Sequence, residues 1–205
     1  MEKILEGNHV GLTGTVLSEL EFSHRTYGEA FYILILGVLR KSGYEDHIRL
    51  MISERLIGHR QILPGHPLRV SGQIRTYNQE CEGKNKLNIV VFVRELEILE
   101  EEAPHENHVK LEGFICKIPV RRASPLGREI CDIMLAVNRM YHKSDYIPCI
   151  AWGRNAVYTS ELQVGCRIEL EGRIQSREYK KRDEAGNITE KTAYEVSVIT
   201  VSAVG

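Results

Sequence analysis

The chain has 205 residues, of which 42% are hydrophobic and only 7% aromatic, with a formal net charge of −1. That length allows one large or two small domains with a buried core. No apolar run approaches the ~20 residues of a membrane-spanning helix, and the opening MEKILEGNHV has no signal-peptide apolar region, so a cytoplasmic location without membrane contact is expected.

Five cysteines (81, 116, 131, 149 and 166) form no CxxC pair and are odd in number. They read as reduced, packed thiols rather than a disulfide framework. The eight histidines make no metal spacing with them, and no P-loop, GxSxG or HExxH is present. Neither an enzyme nor a cofactor or metal site is expected. Charge is uneven along the chain: residues 107–205 carry 15 Lys+Arg against 12 Asp+Glu, leaving 12 against 16 before them. The second half is therefore the better candidate for a polyanionic partner.

In chain order, His9–Leu17 reads as a strand and Tyr27-Gly28 as a turn. Phe31–Leu39 and His47–Ile52 follow as strands, then Ser53–Leu63 as a short helix ended by Pro64-Gly65. Leu68–Ile74 alternates apolar and polar residues, as a half-buried strand does. Gln79–Lys86 is a polar hairpin tip, and Leu87–Leu99 a closing strand. Glu100–Glu106 is a short acidic linker, which divides the chain into units at 1–99 and 107–205.

The pattern then repeats. Asn8-His9-Val10 returns as Asn107-His108-Val109, and the same offset of 99 superposes Gly14 on Gly113, Gly28 on Gly127, Leu36 on Leu135, Arg40 on Arg139 and Asp46 on Asp145. One inserted residue later, Gly65 falls on Gly165, Gly72 on Gly172 and Ile74 on Ile174. Two copies of one unit follow, each with three strands, a short helix and two strands. That is the plan of the OB-fold barrel, so the expected class is all-β with two tandem OB-folds. Glycines inside the strands fit the bends that close a barrel. Two β-sandwiches would need more strands per unit and would not explain the helix.

Residues 132–153 hold two apolar runs, Ile133–Val137 and Ile147–Trp152, joined by a polar tip. Strand alternation sends Ile147, Cys149 and Ala151 to one face and Tyr146, Pro148, Ile150 and Trp152 to the other. Pro148 calls for a bulge or an edge position. Tyr141 sits on the tip, with Arg139, Lys143 and Arg154 around the group. Aromatics among cations on an exposed sheet face are what unstacked bases require.

The second unit resembles the bacterial single-stranded DNA-binding protein family. Asn107-His108-Val109, Gly113, residues 135–139 (LAVNR), Trp152-Gly153, Val164-Gly165, residues 171–174 (EGRI), residues 177–179 (REY) and residues 194–196 (YEV) carry the likeness. The first unit matches more loosely and is closer to primosomal replication protein N, a relative with the same fold. The resemblance implies base stacking on Tyr141, Tyr146, Trp152 and Tyr179, with Arg139, Lys143, Arg154, Arg173, Arg177, Lys180 and Lys181 available to phosphates. The first unit has Ser42, His47, Ser53 and Gln79 at the four stacking positions, with Tyr44 and Tyr77 nearby. Most stacking is thus expected in the second unit.

The expected function is sequence-independent binding and protection of single-stranded DNA in replication, repair or recombination, by a homodimer carrying four OB-folds. Replication or recombination proteins are expected as further partners. The family's acidic tail has no counterpart at Val201–Gly205, so recruitment through such a tail is not expected. Two other readings stay open: a primosome-like or mobile-element accessory acting mainly through protein contacts, and a binder of structured RNA.

Overall fold

The computed structural model describes residues 7–81, 84–182 and 185–205, without the side chains of 79–81 and 84–86. The tip of the expected polar hairpin, the side chains of Gln79 and Cys81, and residues 183–184 lie outside the described residues.

The first unit contains β1 (Asn8–Val16), β2 (Glu21–Thr26), β3 (Glu29–Leu39), β4 (Glu45–Ser53), α1 (Glu54–Ile57), β5 (Pro67–Cys81) and β6 (Lys84–Ile98). The second repeats the order with β7 (Glu106–Ile115), β8 (Val120–Ala123), β9 (Glu129–Arg139), β10 (Lys143–Trp152), α2 (Arg154–Ser160), β11 (Arg167–Arg182) and β12 (Ile188–Ala203). In each unit five strands close on themselves. The circuit runs β1-β3-β4-β6-β5 and back to β1, with β4 and β6 parallel; β7-β9-β10-β12-β11 does the same, with β10 and β12 parallel. These are two tandem OB-fold barrels.

Six strands per unit appear where the sequence suggests five. The additional ones, β2 and β8, lie outside the barrels against β3 and β9 and are exposed along their whole length. With neither face buried, they leave no apolar alternation to read.

The core is aliphatic. Leu34, Leu36, Ile48, Leu50 and Ile52 fill the first barrel, and Leu111, Ile115, Leu135, Ile147 and Leu170 the second. Burying each contributes about 1.5–3 kcal/mol, so two small barrels manage without aromatics. No Phe, Tyr or Trp ring is among the fully buried core residues described. Cys131 and Cys149 belong to this core, and burial pushes both thiols above their ordinary pKa.

Closure depends on four glycines. β1 pairs with β5 up to Thr15 but reaches β3 at Thr15 and Val16, so the chain changes partner beside Gly14. A Cβ on Gly14 would strike the Gly37 carbonyl, and one on Gly113 the Ala136 carbonyl. Gly72 and Gly172 each sit at a register shift, pressed against the carbonyls of Phe92 and Ser197.

The helices are short for a visible reason. Ser53 caps α1, its Oγ accepting from the Leu56 N–H (3.3 Å), but Gly58 (φ 56°) ends the helix after Ile57. The helix expected over Ser53–Leu63 therefore spans four residues. The residue equivalent to Gly58 is Val157, and α2 continues to Ser160 with Ala156 and Thr159 packed below the barrel.

The repeat also makes the interface between the units. β1 and β7 pair antiparallel, with Val10 opposite Val109. These are equivalent residues, so a local pseudo-two-fold axis passes through that pair. The same axis exchanges two buried carboxylates. Asp46, fully buried, accepts from Arg40 Nε (2.8 Å) and Nη2 (2.6 Å) and from the Ser176 N–H of the second unit (2.8 Å). Asp145, equally buried, accepts from the Thr76 N–H (2.8 Å) and Arg75 Nη1 (3.2 Å) of the first unit, with Arg139 Nε at 3.6 Å. Ser176 Oγ in turn accepts from the His47 N–H (2.9 Å), and Thr76 Oγ1 from the Tyr146 N–H (2.9 Å).

The repeated asparagines act alike. Asn8 bonds the Ile74 C=O and N–H (both 2.8 Å), and Asn107 those of Ile174 (2.7 and 3.0 Å). His105 is held as well, accepting from the Leu39 N–H at Nδ1 (2.8 Å), which anchors the linker.

Three substitutions test these contacts. Gly72→Ala forces the Phe92 carbonyl aside and is expected to cost about 1–3 kcal/mol, read as a lower Tm. Asp46→Ala strands Arg40 and the Ser176 N–H and is expected to cost about 3–5 kcal/mol in urea unfolding, as broken buried ion pairs do. Ser176→Ala should cost about 1 kcal/mol.

Candidate nucleic-acid interface

The outward face of β10 carries the candidates in line. Tyr146 is 50% exposed; Pro148, Ile150 and Trp152 follow at two-residue steps, while Ile147, Cys149 and Ala151 are buried on the other face. The β9–β10 register runs unbroken through Pro148, opposite Met134. β12 joins β10 only at Cys149 and Ile150, so Pro148 takes an edge position and the strand keeps its aim.

Trp152 lines a groove of about 1000 Å³ between the units. Its Nε1 donates to Ser197 Oγ (3.1 Å), which fixes the ring. Five arginines surround it: Arg40, Arg122, Arg128, Arg173 and Arg177. Two are spoken for, Arg40 by Asp46 and Arg122 by a bidentate pair with Asp132 (2.5 and 3.1 Å). Arg128, Arg173 and Arg177 have no carboxylate within 4.0 Å among the described residues. Burial pushes the Arg173 guanidinium below its ordinary pKa, with Arg40 adding to the effect, and its Nε is buried without a hydrogen-bond partner. A donor in that condition favours an incoming anion.

The other aromatics lie along the same surface. Tyr141 is 84% exposed on the β9–β10 tip, where both it and His142 have positive φ (63° and 54°). Left-handed φ at two successive residues is the backbone of a tight hairpin turn, and it holds the Tyr141 ring out at the tip. Tyr141 shares a groove of about 280 Å³ with Arg75, Arg94, Arg139 and Lys143. Tyr179, under the Arg177 guanidinium at 5.8 Å, lines a third groove of about 610 Å³ with Arg49, Pro148 and Tyr194. Arg154, Lys180 and Lys181 are exposed, and the Lys180–Glu190 contact at 3.9 Å is a solvated pair of little weight. Arg139 differs from the other cations: it turns inward to Asp145, as Arg40 turns to Asp46, which is why both arginines recur.

The four aromatic positions thus occupy one strand face, its tip and the neighbouring arm rather than one pocket. Sequence reasoning missed Arg122 and Arg128, which β8 and its turn bring over Trp152; Tyr44, noted near the first unit's stacking positions, lies against Arg40 (4.5 Å) at the far wall of the second unit's groove. The turn glycine Gly127, matched to Gly28, was the available signal for the β8 hairpin. Among the described residues no three His, Cys, Asp or Glu side chains stand close enough to hold a metal, and no helix is long and apolar enough to cross a membrane.

Known proteins share both sequence and fold with this chain. The Single-strand binding protein family matches residues 106–204. "Single-stranded DNA-binding protein 2" of Listeria innocua is 33% identical over 84 residues, covering 38% of this chain and 53% of that protein. "Single-stranded DNA-binding protein A" of Bacillus subtilis is 32% identical over 83 residues, covering 37% of this chain and 48% of the other. The chain spans about half the length of the curated relatives it matches. The crystal structure of wild-type single-stranded DNA binding protein from Thermus aquaticus superposes with a TM-score of 0.75 at 22% identity, covering 97% of this chain and 93% of that one, so the fold of both units is shared. The second unit, whose β10 face carries the aromatic and arginine surface, is thus similar to the Single-strand binding protein family across residues 106–204.

Proposed function

We propose that this protein binds single-stranded DNA without sequence preference and protects it during replication, repair or recombination in the cytoplasm. The observation that carries the proposal is the Trp152 groove, an anchored indole beside three guanidiniums that have no carboxylate within 4.0 Å among the described residues, although Glu178 and Glu195 also line the groove. Stacking contributes about 1–3 kcal/mol per base and accepts any base, since each has a π-face. Tyr141, Tyr146 and Tyr179 extend the path, while Arg173, Arg177, Arg154, Lys143, Lys180 and Lys181 meet phosphates. Arg139 serves the path indirectly by holding Asp145 under the β9–β10 tip. Duplex DNA, whose bases are stacked inside, offers these rings nothing, so single strands are preferred. An accessory acting through protein contacts alone would have no use for an unpaired Arg173 beside Trp152.

Trp152 is the only tryptophan of the chain, so its fluorescence reports the site directly. Titration with oligo-dT at low salt is expected to quench it, and an unchanged signal would refute the proposal. Trp152→Ala should weaken binding by about 1–3 kcal/mol. Arg173→Ala should reduce the slope of log affinity against log salt by about 0.7, one phosphate's share.

We further propose a homodimer carrying four barrels, supported by the internal pairing of two barrels about one axis. Light scattering is expected to give twice the chain mass at micromolar concentration; a monomer would overturn this part.

A further inference from the structure

The first unit has lost the rings at the positions used by the second, yet its equivalent surface is not bare. Strand register fixes the correspondence. Trp152 pairs with Ile130 on β9, and Ser197 on β12 lies beside Ile150. In the first unit Ser53 pairs with Phe31 on β3, and Phe92 on β6 lies beside Met51. The trio Ile130–Trp152–Ser197 therefore corresponds to Phe31–Ser53–Phe92. One large ring between two smaller side chains has been exchanged for two rings with a small hydroxyl between them.

The two phenyl rings lie 5.9 Å apart at 38°. His24 stacks on Phe31 at 5.1 Å and 11°, and the Arg94 guanidinium covers Phe92 at 4.9 Å. Phe31, Ser53 and Phe92 border a groove of about 330 Å³ that Arg55 and Arg94 also line. Arg94 is exposed, with no carboxylate within 4.0 Å among the described residues. Arg55 reaches Glu29 only at 3.6 Å and is 81% exposed. The barrel beneath is already filled by aliphatic side chains, so these rings are not needed as core.

We propose that Phe31, Phe92, His24, Arg94 and Arg55 form a second base-stacking site, through which a single strand engaged by the second unit continues across the first. The inference rests on the single-strand-binding role proposed above. Planar rings flanked by cations suit a nucleobase and its phosphate, and with Ser53 at the position of Trp152 the two phenyl rings close to 5.9 Å and take the place of the indole.

The test uses the full chain, with oligo-dT in which iododeoxyuridine replaces scattered thymidines. After irradiation, cross-linked peptides are mapped by mass spectrometry. Adducts are expected at Phe31, Phe92 or His24 as well as at Trp152. Phe92→Leu keeps aliphatic bulk but removes the ring, and is expected to weaken binding of an oligo-dT long enough to span both units at least about fivefold. The same variant should leave the quenching of Trp152 by a short oligo-dT unchanged. Adducts confined to the second unit, or full affinity of Phe92→Leu for the long oligonucleotide, with Trp152 still quenched, would overturn the second site alone. Absence of quenching and of any adduct would overturn the binding role itself.

Discussion

Two carboxylates with no access to water set the relation between the barrels. Asp46 and Asp145 each sit in one unit and collect hydrogen bonds from a backbone N–H of the other, Ser176 and Thr76 respectively. A buried charge without partners would be very costly, so each unit depends on the other to satisfy its acid. The strand pair β1–β7 supplies the ladder, and the carboxylates supply the register. The consequence reaches the surface. The N–H of Tyr146 donates to Thr76 Oγ1, so an interface hydrogen bond holds the backbone from which one of the candidate stacking rings projects.

The same arrangement explains why the Trp152 groove is a joint product. Arg40 and Tyr44 form its far wall, although they come from the unit that lacks rings at the four stacking positions. Arg40 is held by Asp46, and Asp46 by Ser176, whose neighbour Arg177 lies over Tyr179. The first unit therefore acts on the groove of the second through packed and charged contacts, whatever its own surface binds.

Much of the fold is legible in the sequence because the repeat is. Asp46 and Asp145, Asn8 and Asn107, and the strand glycines stand out by their spacing, and each has a steric or hydrogen-bonding role that admits few replacements. The inward parity of Ile147, Cys149 and Ala151 is equally plain, since a buried face imposes alternation. What escapes is what burial does not shape. β2 and β8 are exposed on both faces, and with β8 goes the position of Arg122 and Arg128 over Trp152. The inward turn of Arg139 toward Asp145 belongs to a cluster that Thr76 and Arg75 complete from the first unit, which linear spacing does not display. The Phe31–Phe92 pair is hidden for a further reason: its members lie 61 positions apart on strands that do not pair directly but flank β4 from either side.

The glycine at 58 has an effect beyond stopping a helix. Where the second unit continues through Val157 into two turns, the first turns away after one, and residues 59–63 return as irregular chain with Ile62 tucked into the core. The floor of the first barrel is thus closed by Leu56 and Ile57 of one helical turn together with Ile62 of the irregular chain, instead of a two-turn helical face. Amide exchange is governed by how many contacts must break together for a segment to open. The two halves, alike in topology, thus differ in how much helix must come away with the floor, and the half with the shorter helix is the one whose neighbour depends on it for Thr76 and Arg75.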